Sequence, residues 1–400
     1  MKKLLKSSLI LTLAALLLLS AGCAKKEDSS SDNEISAATY DITVWVSESD
    51  GVADLTKTQI DRFNEANEDI QINATIEGIS EAEAATQMIN DVESGPDLYC
   101  FAQDQLARLV QAGALAVLGE GASATVKESN DAGAVNAATV DGKLFCYPLT
   151  SDNGYFMYYD KSVISEDMID DLATLVKACE DNNKFFSMEY KTSAWYNAAF
   201  FFATGCVSEW KYDFVNKKFV DVNDTYDSPE GLIALKGMEI LAKSSAANSS
   251  SDGSDFSKGS AVVVSGAWSY WQAKDILGDQ LGVAPLPSFT VDGVSYHLGS
   301  FSGNKLLGVK PQEDENKAAA LHALALYLSQ EECQLERFSS NSWGPSNVAA
   351  KASDAVQSNP VLAALGEQNN YATVQGQVND GWWTKGGDLG TLAEQAASEQ

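Results

Sequence analysis

Four hundred residues suffice for two ordinary domains, and an apolar share of 45% is that of a chain with a substantial core. Against 27 basic residues stand 56 acidic ones, a net charge of −29. Such a surface repels phosphate backbones, which excludes nucleic acid as a partner; solubility is the plain meaning of the acidity.

The chain opens with Lys2, Lys3 and Lys6, then an almost wholly apolar run from Leu9 to Leu19, then the small residues Ser20, Ala21 and Gly22. A basic head, a short apolar stretch and a small-residue end are the layout of a cleavable secretory signal, here residues 1–22. The run falls short of the ~20 apolar residues a membrane span needs. Removing 1–22 takes away three positive charges and moves the balance from −29 to −32. Ala24 to Ala38 is rich in Ser, Asp, Glu and Lys and cannot bury a core, so 23–38 is expected to be a flexible tether.

Asp41-Ile-Thr-Val-Trp-Val46 is β-branched and predicts a first strand. Leu55, Ile60, Phe63 and Ala66 give an apolar side to a helix over 54–67, and 70–76 alternates as a second strand. Ser80 and Glu83 have the spacing of a capping box, opening a helix that buries Ala84, Met88, Ile89 and Val92. Gly95-Pro96-Asp97 ends it; 98–102 predicts a buried strand and 104–112 another helix. Asp141-Gly142 marks a hairpin turn. Beyond it the pattern predicts a helix over 167–182, a strand over 185–189, and a helix capped by Ser228-Pro229 and running through Ala242. A Ser-rich loop over 244–257 precedes a short buried strand, 261–265, and helices are expected over 318–329 and from 349 onward. The β-α-β-α order predicts an α/β fold with ligands at the C-terminal ends of strands, and no internal repeat is present.

No catalytic residue is singled out. His297 and His322 are the two histidines, and neither belongs to a nucleophile, zinc or phosphate motif. Of the six cysteines, none has the spacing of a metal or redox pair, so no metal and no cofactor are expected.

Four segments, in order, carry a resemblance. They are Gly95-Pro96-Asp97-Leu98-Tyr99 with Asp104 and Gln111-Ala112-Gly113-Ala114-Leu115; Asp141-Gly142-Lys143 leading to Tyr147-Pro148; Phe256 to Ala261 leading to Ser265-Gly266-Ala267-Trp268; and Gly282 to Pro287. Together they resemble the extracellular solute-binding proteins of sugar importers, the maltodextrin-binding type above all. That resemblance implies a two-lobed α/β fold of the periplasmic-binding-protein kind, with discontinuous lobes, mixed sheets flanked by helices, and hinge strands. The expected lobes are 39–150 with 300–345, and 151–299 with 346–400. Crossings between them are expected near Leu149–Asp152, Leu298–Phe301 and Trp343–Asn347. Leu19-Ser20-Ala21-Gly22-Cys23 is similar to a bacterial lipobox, which implies lipidation of Cys23 and attachment to the extracellular face of the membrane.

A pyranose has apolar CH faces and a rim of hydroxyls, so its site needs aromatic platforms and hydrogen-bonding groups. The resemblance assigns platforms to Phe101, Trp195, Trp268 and Trp382, and sugar-binding carboxylates to Asp104 and Asp152. Asp50 takes a polar contact position after the first strand, and Gln105 stands where relatives carry Arg. Helix capping competes for Asp104 and turn formation for Asp152; Trp45 reads as core, and Trp210 and Trp271 are equally compatible with packing. The implied function is capture of an oligosaccharide by a monomer and delivery to the permease subunits of an ABC transporter. The alternatives are a surface glycoside hydrolase and a binding protein for a non-sugar solute.

Overall fold

A computed structural model describes residues 38–213, 216, 218–375 and 380–398. The expected signal segment, Cys23 and nearly all of the tether lie outside the described residues, as does the side chain of Trp210.

Two five-stranded sheets organise the chain. The first has the order Ile70–Ile79, Ala38–Ser47, Leu98–Ala102, Lys305–Val309, Cys146–Pro148. Its first three strands are parallel, and Lys305–Val309 returns antiparallel between Leu98–Ala102 and Cys146–Pro148. The second sheet runs Ala247–Asn248, Phe185–Ser187, Ser260–Ser265, Phe156–Asp160, Leu281–Ala284 and is likewise mixed. Each sheet has its own core. One cluster draws on residues from Ile42 to Leu149 and from Leu306 to Trp343. Two others draw on Tyr155 to Phe301, Val361 to Leu365, and the C-terminal residues Trp382 and Ala393. Phe301, expected in the first lobe, packs in the second core beside Trp195 and Phe202, so the crossing there completes itself a few residues later.

Three segments run side by side between the sheets. Leu149 N donates to Lys305 O at 2.9 Å, Ser151 N to Gly344 O at 2.9 Å, and Asn153 N to Gly303 O at 3.1 Å. Gly344 N donates to Asp152 Oδ2 at 2.5 Å. A Cβ at Gly344 would lie 2.8 Å from that of Asp152, so only glycine admits this approach. Gln334 braces the third segment from behind: its Oε1 accepts from Ser346 N and Asn347 N, and its Nε2 donates to Pro148 O.

Local signals formed where short-range chemistry sufficed. Ser228 caps the Pro229–Ala242 helix by accepting from Gly231 N at 3.1 Å. Asp141 and Gly142 both take positive φ, 49° and 75°, as a tight two-residue hairpin turn requires. The Ser80–Glu83 capping box does not form. The helix there starts later, at Ala84–Asn90, and Ser80 instead offers its backbone carbonyl to Glu83 N and Ala84 N. The Ser-rich 244–257 segment contains a two-residue strand and the start of a 3-10 helix, Gly253–Lys258. An unforeseen helix, Ala194–Ala203, is capped by Ser193 and carries Trp195 in its first turn.

Candidate ligand-binding cleft

The C-terminal end of the Leu98–Ala102 strand and the start of Lys305–Val309 bring Asp104 and Lys305 to one end of the first sheet. Opposite them, the turn after Ser260–Ser265 presents Trp268, and the first turn of Ala194–Ala203 presents Trp195. The two indoles lie 5.8 Å apart between ring centres, tilted by 38°. Trp195 also lies parallel to Phe301, at 9° and 6.3 Å, and meets Tyr155 edge-on at 4.6 Å. Phe301 in turn contacts Trp383 at 5.6 Å. The result is a continuous aromatic bank, with Trp195, Trp268 and Trp383 half-buried rather than enclosed.

The facing side is polar. Lys305 holds its Nζ 5.5 Å from the centre of the Trp268 ring, 4.6 Å from that of Trp343, and 4.0 Å from Glu81 Oε1. Gln375 joins the two sides: its Nε2 donates to Asp104 Oδ1 at 3.1 Å, while its Oε1 accepts from Trp195 Nε1 at 3.1 Å and Asn153 Nδ2 at 2.9 Å. Two buried carboxylate oxygens, Glu81 Oε1 and Asp152 Oδ1, accept no hydrogen bond. An unpaired acceptor of that kind favours a ligand rich in donors.

The structure brings Asp104, Asp152, Trp195 and Trp268 to this region and sends other expected site residues elsewhere. Phe101 is enclosed in the first core; its strand is buried on both faces, and its ring packs on Tyr99 and over Gly308. Gln105 is a brace: its Oε1 accepts from Ala85 N at 2.8 Å and its Nε2 donates to Glu81 O at 2.6 Å. It therefore caps the Ala84–Asn90 helix that Ser80 does not. Trp382 is buried in the second core against Phe201 and Tyr226, while its neighbour Trp383 turns toward the aromatic bank. Asp50 is exposed after the first strand, and its carbonyl accepts from Asn341 Nδ2. Glu81, Lys305, Gln375 and Trp383 were not foreseen. The one sequence signal among them was Lys305 opening an otherwise apolar strand.

Neither histidine belongs to the cleft constellation. Burial lowers the pKa of both; His322 Nδ1 pairs with Tyr147 Oη at 2.9 Å, and His297 stacks on Tyr371 at 3.5 Å and 7°. Among the described residues no cluster of His, Cys, Asp or Glu is arranged to hold a metal, and no helix is long and apolar enough to cross a membrane.

Known proteins share the fold that carries these residues. A curated relative, the maltotriose-binding protein of Pyrococcus abyssi (strain GE5 / Orsay), is 27% identical over 217 residues, 53% of this chain. The match spans 46% of that relative, about half its length. Among solved structures, one determined with acarbose superposes with a TM-score of 0.75 at 25% identity, covering 91% of this chain and 97% of the other. The maltodextrin binding protein MalE1 from L. casei BL23, solved without ligand, gives 0.74 at 23% identity, covering 90% and 96%. These likenesses establish the two-lobed α/β fold. The profile of a family described as bacterial extracellular solute-binding protein matches residues 58–364, and the chain belongs to that family, one of binding proteins rather than enzymes.

Proposed function

We propose that this chain captures an oligosaccharide of the maltodextrin type between its lobes and delivers it to the permease subunits of an ABC transporter. The observation that carries the reading is the Trp195–Trp268–Trp383 bank met from the other side by Lys305, with Glu81 beside it, and through Gln375 by Asp104. Indole faces suit the CH faces of a pyranose, and carboxylates accept from its hydroxyls in charge-assisted bonds about twice as strong as neutral ones. The names of the relatives point the same way, toward maltotriose, maltodextrin and acarbose. Gln375, which spans the sides, occupies the hydrogen-bonding groups a sugar would take and exchanges with it on binding.

In this reading residues 39–150 with 300–345 form one lobe, apart from Ser300–Ser302, which pair with Ala372–Val374 of the other, and 151–299 with 346–400 form that second lobe, closing as a monomer about the three crossing segments. Residues 1–22 direct export, Cys23 carries the lipid, and 23–38 tether the lobes to the extracellular face of the membrane. Lys2, Lys3 and Lys6, the apolar run and the small residues before Cys23 support that part.

A thermal-shift and calorimetric panel tests the ligand: maltose, maltotriose and maltotetraose against xylo-, fructo- and galacto-oligosaccharides. Binding confined to the first group is expected; binding confined to another group overturns the maltodextrin assignment. Membrane fractionation of Cys23→Ala tests the anchor, with release of exported protein expected and full membrane retention contradicting it.

A further inference from the structure

Arg337 is a buried cation with no carboxylate in direct contact; Glu336 reaches it only through the Gln59 amide. It is 4% exposed, on the Glu331–Asn341 helix of the first lobe. Its Nη1 donates to Gln59 Oε1 at 3.0 Å and its Nη2 to Leu328 O, while Nε has no partner. Among the described residues no carboxylate lies within ion-pair distance of it. The nearest candidate, Glu336, is committed elsewhere: it takes Arg62 through Nη1 at 2.6 Å and Nη2 at 2.7 Å, and Gln59 Nε2 at 2.9 Å. Burial lowers the pKa of the guanidinium, the mark of a charge held out of water.

Beside this group lies a cavity of about 20 Å³, lined by Val46, Thr56, Cys100, Leu149, Arg337 and Trp343 among others. Its lining residues are mainly apolar, with Thr56 and Ser47 among them, the latter's hydroxyl already bonded to Ser49. The space exceeds the ~10–15 Å³ that one water-sized sphere needs.

We infer that this cavity is a binding site for a small monovalent anion, a halide, held by Arg337 and the Thr56 hydroxyl. A water there would fill the space and leave the charge uncompensated; a halide does both, and a buried charge is stable chiefly when paired. The cavity touches Leu149 and Trp343, which begin two of the crossing segments, so the ion would brace the first lobe where it meets the hinge.

The test uses the mature chain exchanged into sodium gluconate, then titrated with chloride or bromide at constant ionic strength. The melting temperature is expected to rise by roughly 2 °C or more and to saturate. Arg337→Gln and Thr56→Val should each abolish most of that rise. Should Arg337→Gln fail to fold, Thr56→Val and a bromide-soaked crystal decide, the latter expected to show an anomalous peak in the cavity. Equal melting in gluconate and chloride, a halide response that survives both substitutions, or a cavity without the anomalous peak overturns the inference in favour of water.

Discussion

Lys305 of the first lobe holds its ammonium 5.5 Å from the ring centre of Trp268 in the second, so a cation and an indole meet across the cleft. Such a contact draws the lobes together at the place where the aromatic platform stands. It also shows that the Trp268 ring, which covers Gly266 after its own strand, reaches the other lobe. Trp268→Ala is therefore expected to weaken oligosaccharide binding by about 2 kcal/mol or more, roughly thirty-fold, with melting near wild type. Calorimetric titration and a melting curve on the same sample check this. Unchanged affinity with a large fall in melting temperature would place the indole in the core.

Trp382 and Trp383 are neighbours with opposite tasks. Trp382→Ala removes a side chain packed on Phe201 and Tyr226 and is expected to cost about 3–5 kcal/mol of stability, leaving the affinity of the folded protein intact. Trp383→Ala is expected to lower affinity about tenfold with little loss of stability. Denaturant unfolding and sugar titration of the pair discriminate between them; the reverse pattern would exchange their roles.

Gln105→Ala deprives the Ala84–Asn90 helix of its long-range cap and frees the Glu81 carbonyl. A loss of about 1–2 kcal/mol in urea unfolding is expected, the range for a lost helix cap. Sugar affinity should hold. A drop in affinity without a drop in stability would return Gln105 to the ligand site.

The Glu336 carboxyl is held below its ordinary value near 4.5, chiefly by its hydrogen bond to Arg62. A depressed carboxyl stabilises the fold above its unfolded value and loses that contribution as pH falls through the folded one. Glu336→Gln should thus be less stable than wild type by about 1 kcal/mol at neutral pH, with both groups about two-thirds covered. The gap should close well below pH 4.5. Melting curves from pH 3 to pH 7, about four units, would follow it; a gap that stays constant with pH would assign the effect to packing.

How much was legible depends on the range of the chemistry involved. Alternation and β-branching marked the strand at 41–46, but its extension back to Ala38 depends on parallel pairing with 70–79, which no local signal records. Ser228 announced its cap because the cap is its own side chain; Gln105 gave no such sign because the helix it caps lies about twenty residues away. Phe101 sits in a strand buried on both faces, where alternation cannot say which way a ring points. Trp382 and Trp383 differ by one helical step of ~100°, enough to separate core from cleft and too little for a segment match to resolve. Lys305, Glu81 and Gln375 acquire meaning only when the lobes face each other. The α/β order and the family segments were readable because each is written in contiguous residues.

The five thiols of the described chain are all free and buried, and they divide between the two halves: Cys100, Cys146 and Cys333 in the first, Cys179 and Cys206 in the second. A maleimide reagent therefore reaches none of these five until a half opens. Mass spectrometry of the labelled chain would then date the opening of each half separately, with no engineered cysteine.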